Sequence, residues 1–224
     1  MFKQPLVQFI DVEKSFLGNH PIFSNVNFKI NQGEFLFLTG ISGAGKSTIF
    51  RLILGLETPN KGRVIFNNYN VHQLPKKVSP KHLRSVGMVF QDYKLLAHQS
   101  PKKNITIPLQ IAGLIGSKAE KKINNIVDAI GIRPLLKRPT KSLSGGEQQL
   151  IAIARAAVHS PQLILADEPT ANLDPQMGAK IIDILKQLNG MGITVVIATH
   201  DIHLIKSHEK RTILIKNSDL IEVQ

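Results

Sequence analysis

The run Gly40-Ile-Ser-Gly-Ala-Gly45-Lys46-Ser47 reads G-x4-G-K-S. Glycines at this spacing let backbone N–H groups turn inward around phosphate oxygens, and a helix starting there adds positive field. A lysine at that point reaches the β- and γ-phosphates of a nucleoside triphosphate, and the hydroxyl after it ligates Mg2+. Gly40, Ser42, Gly43, Ala44, Gly45, Lys46, Ser47 and Thr48 are therefore the candidate nucleotide-binding loop. Lys46 is a catalytic candidate as well, and Ser47 a metal ligand. A glycine-rich turn with an accidental lysine is the competing reading. It is set aside because a buried apolar run precedes the loop and a helical run follows it.

Two further runs gain meaning from the first. Leu163-Ile-Leu-Ala-Asp167-Glu168 is an apolar strand that delivers an acid to its C-terminal end, where ligands bind in open α/β sheets. Asp167 is the candidate Mg2+ ligand and Glu168 the candidate general base for the attacking water. Alone, the pair would read as an exposed strand end. Leu143-Ser144-Gly145-Gly146-Glu147-Gln148-Gln149 places a hydroxyl and two open amides at a second helix start. One chain has no spare triphosphate for it, so the simplest occupant is the ATP of a second copy. Ser144 and Glu147, three residues apart, also spell a capping box, and cap and phosphate contact use the same groups.

With these residues in order, the chain resembles the nucleotide-binding domain of ABC transporters over essentially its whole length. LSGGEQQ matches the family signature, lying between the P-loop and the Asp167–Glu168 strand. The resemblance implies further roles. Gln91 corresponds to the glutamine that contacts metal or water at the joint with a helical subdomain. Asn172 and Asp174 fall in the loop that runs along the dimer interface. His200 corresponds to the histidine that contacts the γ-phosphate, and Phe16 to an aromatic that stacks on adenine. Each has a plainer reading: Gln91 as surface, His200 as structural, Asp174-Pro175 as a helix start, Phe16 as core.

The implied fold is a P-loop NTPase of the ABC-cassette type, α/β with an antiparallel β subdomain and an α-helical insertion subdomain. The expected division is a RecA-like core at about 1–91 and 160–224 and a helical subdomain at about 92–159. The implied activity is ATP hydrolysis with Mg2+, in a homodimer peripheral to the cytoplasmic face of a bacterial inner membrane and joined to an integral membrane subunit. Phe37-Leu-Thr-Gly-Ile-Ser-Gly-Ala-Gly-Lys46, Gly87-Met-Val-Phe-Gln-Asp92 and Ala198-Thr-His-Asp201 resemble the cell-division branch of the family. The lipoprotein-releasing and macrolide-export branches share much of this pattern. Two departures stand out: Leu150 where an arginine is usual after the signature glutamines, and Ala171 where glycine is common.

The elements that must position these residues follow from periodicity. Leu6–Val12 and Val26–Ile30 alternate as half-buried strands, and Glu34–Thr39 reads as a buried parallel strand feeding the P-loop. A helix is predicted over Lys46–Gly55 and a strand over Arg63–Asn67. Helical spacing then runs over Asn104–Ala112, Ala119–Ile130 and Gly145–His159. Strands at Leu163–Ala166 and Thr194–Ala198 flank a helix at Gln176–Leu188, a βαβ unit. Arg211–Ile215 and Leu220–Val223 predict a closing hairpin.

Composition narrows the partners. The 224 residues carry a formal charge of +12, which favours anions: nucleotide, nucleic acid or acidic lipid head groups. The basic residues are spread without aromatic interleaving, so no specific nucleic acid is expected, and anionic lipids fit at least as well. A DNA- or ribosome-associated ABC ATPase is the rival of another class. It would call for a heptad insertion or a second P-loop, and the sequence has neither. The sequence has no cysteine, and its apolar runs fall well short of the about 20 residues that span a bilayer.

Overall fold

A computed structural model describes residues 5–16, 21–75 and 77–223. Strands β1 (Pro5–Ser15) and β2 (Pro21–Asn31) are longer than their alternation predicts. The continuous apolar run gives β3 (Phe35–Thr39), and the P-loop opens into α1 (Lys46–Leu54), stopped by Gly55 at φ 73°. Next come β4 (Lys61–Phe66), β5 (Tyr69–Asn70), α2 (Ser79–Arg84) and β6 (Val86–Val89). Helix α3 (Pro101–Ile111) starts earlier than its apolar spacing suggests. Ser100 caps it by accepting the Lys103 N–H, and Pro101 takes the first helical position. The remainder is α4 (Gly116–Ile130), α5 (Gly145–Ala157), β7 (Leu163–Asp167), α6 (Pro175–Gly190), β8 (Thr194–Ala198), α7 (Ile202–Lys206), β9 (Thr212–Lys216) and β10 (Asp219–Val223).

The chain forms two compact units: one up to Leu83 and again from Thr194, the other Arg84–Ile193. Within the second unit β6 and β7 pair with each other, and α5 packs on β6.

In the first unit β1 pairs antiparallel with both β2 and β4, and β5 pairs antiparallel with β4 on its other side. Separately, β3 runs parallel between β8 and β9, in register Leu38 to Ala198 and Thr39 to Leu214, with β10 antiparallel to β9. Phe23, Ile30, Leu36, Phe37, Leu38, Ile49 and Phe50 are fully or almost fully buried. In the second unit β6 and β7 are parallel, Val89 opposite Ala166. Gly87 permits the close approach of β6 to α5: a Cβ there would lie 2.3 Å from the Ala156 carbonyl oxygen. Asn104, fully buried in α3, closes the segment before it by accepting the Leu96 N–H at 2.8 Å and donating to the carbonyls of Leu96 and Ser100.

Candidate nucleotide-binding site

In the first unit, parallel pairing sets the P-loop and His200 at the same edge. Gly40 follows β3 directly, and His200, exposed, comes two residues after β8. The Thr199 N–H donates to the Leu38 carbonyl at 3.0 Å, extending the pairing to that edge. The loop takes three left-handed glycines: Gly40 at φ 154°, Gly43 at 79° and Gly45 at 110°. Gly45 is also the cap of α1, and no side chain caps that helix. The Lys46 side chain is buried and arches back over the loop, donating to the Gly40 carbonyl at 2.8 Å and more weakly toward Ile41 at 3.4 Å. Ser42, Gly43 and Ser47 are exposed, and Thr48 turns inward.

Phe16 follows β1 and is 47 % exposed, not core. The Lys14 ammonium lies 4.8 Å from its ring centroid. The exposed ring is what a stacking role requires.

In the second unit, β6 and β7 deliver Gln91 and Asp167 to one edge, Gln91 exposed and Asp167 half-buried. Glu168 sits at φ 45°, a conformation that non-glycine residues adopt at an energetic cost and that clusters at functional sites. Asn172 is left-handed as well, at φ 62°, so the turn falls on Asn172 and not on Ala171. The substitution of the usual glycine is thereby accommodated. Asp174 caps α6 by accepting the Met177 N–H at 2.9 Å.

The signature helix α5 begins in the expected capping box. Ser144 Oγ accepts the Glu147 N–H at 3.3 Å, and the Ser144 N–H donates to Glu147 Oε2 at 2.8 Å. This cap uses the serine oxygen as acceptor. The hydroxyl proton of exposed Ser144 can still be given to an anion, beside the helix-start amides of Gly145 and Gly146. The Ser144 N–H above all, with help from the Arg138 guanidinium, holds the Glu147 carboxyl below the usual carboxylate range against the effect of its burial. Gln149, fully buried, donates to the Pro169 carbonyl at 2.8 Å, tying α5 to the segment after Glu168.

Sequence reasoning missed two arginines. Arg138 donates to Glu147 Oε1 and, at 2.8 Å, to the Ser142 carbonyl. Arg155, near the end of α5, donates at 2.6 Å to both the Tyr93 and Lys94 carbonyls, consecutive left-handed residues just beyond Gln91. Neither contact leaves a periodic trace in the sequence. Leu150 is 3 % exposed, so the residue replacing the usual arginine is part of the core.

The residues fit a triphosphate: positive-φ glycines, an uncapped helix start and a lysine folded over the loop are one cradle of donors. The expected metal ligands Ser47, Gln91 and Asp167 are all hard oxygen donors, which suit Mg2+. Among the described residues no group of three His, Cys, Asp or Glu side chains could hold a metal. No helix among them is long and apolar enough to cross a membrane.

The fold and motifs define an ATP-binding cassette. Residues 23–171 match the family model described as ABC transporter, and the chain belongs to that family as an ATPase. It is 39% identical over 215 residues to the cell division ATP-binding protein FtsE of Escherichia coli K12, covering 96% of this chain and 97% of that one. It is 40% identical to FtsE of Haemophilus influenzae, over 96% of this chain and 99% of the relative. Among solved structures, it resembles a post-hydrolysis dimer of the ATP-binding cassette MJ0796 bound to ADP and Pi. The TM-score there is 0.85 at 34% identity, over 97% of this chain and 98% of that one.

Proposed function

We propose that this chain is the ATP-hydrolysing subunit of an FtsE–FtsX-like complex of bacterial cell division. Two copies each bind ATP at Gly40–Thr48, with Lys46 on the β- and γ-phosphates and Phe16 against the adenine. Each ATP is then covered by Ser144, Gly145 and Gly146 of the other copy, while Asn172 and Asp174 line the contact between copies. Ser47, Asp167 and Gln91 would hold Mg2+, which neutralises phosphate charge as it is redistributed. Closure excludes water and sets Glu168 to polarise the attacking water and His200 to steady the γ-phosphate. Hydrolysis breaks the bond between the γ-phosphate and the rest of the nucleotide, so the two copies no longer share one molecule, and they part.

The output is mechanical: the segment after Gln91 passes the motion to an FtsX-like integral membrane subunit that regulates cell-wall hydrolysis. The chain works from the cytoplasmic face of the membrane, held there by that subunit, with anionic lipids a further attraction for its net charge of +12.

What carries this reading is the start of α5, where exposed Ser144 stands beside half-buried Gly145 and buried Gly146 at a helix start: donors suited to an anion that one chain's own ATP does not require. The similarity to FtsE and to a cassette dimer bound to ADP and Pi supports it.

The test uses Glu168→Gln with MgATP, followed by light scattering. A stable ATP-dependent dimer is expected, and Ser144→Arg in the same background should abolish it while leaving ATP binding intact. Dimers that persist in the Ser144→Arg protein would refute the shared site.

A further inference from the structure

The capping box that begins α5 carries an internal conflict. Glu147 stabilises the helix start because its ionised carboxylate sits on the Ser144 N–H, at 2.8 Å. The same negative charge lies beside the serine that, on the reading above, meets a triphosphate. At this range it is well inside a Debye length, so salt in the medium leaves most of the repulsion in place. A helix start that is well capped in this way is a poor anion site unless the carboxylate is neutralised.

Arg138 stands where the neutralising charge is needed. Its Nη1 bonds to Glu147 Oε1, the oxygen the cap leaves over, and its Nη2 bonds to the Ser142 carbonyl at 2.8 Å. The chain segment that reaches Ser144 and the carboxylate beside it are thus held by one planar fork. Both partners are partly open to water, Arg138 at 44% and Glu147 at 22% side-chain exposure. A pair so placed adds little to folding stability. Its charge balance matters chiefly for what approaches the helix start from outside.

We propose that Arg138 is a positioning residue for the shared nucleotide site: it cancels the charge of Glu147, so that the capped start of the signature helix accepts the terminal phosphates of a second copy's ATP. The depressed pKa of Glu147 agrees with this, since the carboxylate stays charged and the compensation stays necessary. The inference rests on the proposed sharing of ATP between two copies.

A charge cycle in the full-length Glu168→Gln protein tests it, with the MgATP-dependent dimer dissociation constant as readout. Arg138→Gln should weaken the dimer about tenfold, roughly threefold at each of two equivalent sites, the scale of a charge at a helix terminus. Glu147→Gln keeps the cap, because an amide oxygen also accepts the Ser144 N–H, and should dimerise at least as tightly as its parent. The double variant should lie within about twofold of the parent, because a neutral pair and an ion pair leave the same net charge beside the helix start. ATP affinity of the monomer should stay level through the series, with melting temperatures within about 2–4 °C of the parent, the shift that a weakened helix cap produces at this size.

If the double variant is as weak as Arg138→Gln alone, the arginine acts only as a staple on the Ser142 carbonyl, and the proposal is overturned. It is equally overturned if Arg138→Gln has no effect. Failure of the underlying reading looks different: the parent protein then forms no ATP-dependent dimer that Ser144→Arg can abolish, and both ideas fall together.

Discussion

Gly45→Ala separates what a P-loop glycine does for backbone conformation from what it does for packing. Gly45 has φ 110° and ψ 11°, so any side chain there is held in a left-handed conformation. That alone costs about 1–2 kcal/mol. A Cβ would also lie 2.7 Å from Ile22 Cγ2 and 2.8 Å from Phe23 Cζ, well inside contact distance. Ile22 can yield by a rotamer change. Phe23 has no exposed surface, so its ring can move only by disturbing the core of the unit. Overpacking of this kind adds roughly 1–3 kcal/mol. The total is about 2–5 kcal/mol, a large share of a stability that is typically about 5–15 kcal/mol.

Gly43→Ala is the internal control, because Gly43 is left-handed at φ 79° but its Cβ would meet nothing within 4 Å. It should lose only the conformational part, about 1–2 kcal/mol. Urea unfolding of both variants without nucleotide measures the difference, expected at roughly 1–3 kcal/mol. If the two variants unfold together within about 0.5 kcal/mol, the close approach of Phe23 to the loop carries no energy and the argument fails.

Asn104→Leu removes an amide that serves three backbone groups of Leu96 and Ser100 from a fully buried position. It should cost roughly 2–3 kcal/mol in urea unfolding, and an unchanged midpoint would show that the segment before α3 holds itself. Burial pushes the rings of His72, His82 and His159 below the ordinary histidine pKa, so they enter the native state neutral. The unfolded chain takes up protons near pH 6.5, and the native one only at lower pH. Stability should therefore be full above about pH 6.5 and fall as the pH drops below it. Glu57 and Glu147, whose carboxyls are held low, lose their contribution only at more acid pH, below 4.5. A melting temperature level from pH 7.5 down to about 5 would contradict the histidine assignment.

Three parts of the candidate site are legible in the sequence because each is a contiguous run, whereas Phe16, Gln91 and His200 are single residues that only the family resemblance singles out. The P-loop, the acidic strand end and the signature each announce themselves within eight residues or fewer. The strands that carry them are legible from apolar runs, since β3, β7 and β8 are buried along nearly their whole length. The short elements are not: β6 spans four residues and includes Gly87, and α7 spans five with no buried residue, so neither leaves a periodic pattern. Helix α3 shows in its spacing but its first residues do not: Pro101 is buried in line with Ile105 and Leu109, yet proline reads as a helix breaker everywhere except the first turn it occupies here. Arg138 and Arg155 are invisible for another reason. The carboxylate partner of Arg138 lies 9 residues away and the carbonyl partners of Arg155 about 60, and only folding brings them into reach. The strain at Glu168 is equally hidden, because no residue type there signals a left-handed backbone.

The fork of Arg155 has a mechanical meaning. Two carbonyls of the Tyr93–Lys94 turn are gripped by one rigid guanidinium that is itself rooted in α5. Anything that pushes on this turn pushes on the helix, for the turn cannot slide without breaking two strong bonds at once. The loop is thus less a hinge than a handle. On the proposed mechanism, torque applied there from outside would act on the same helix that Ser144 caps at its other end.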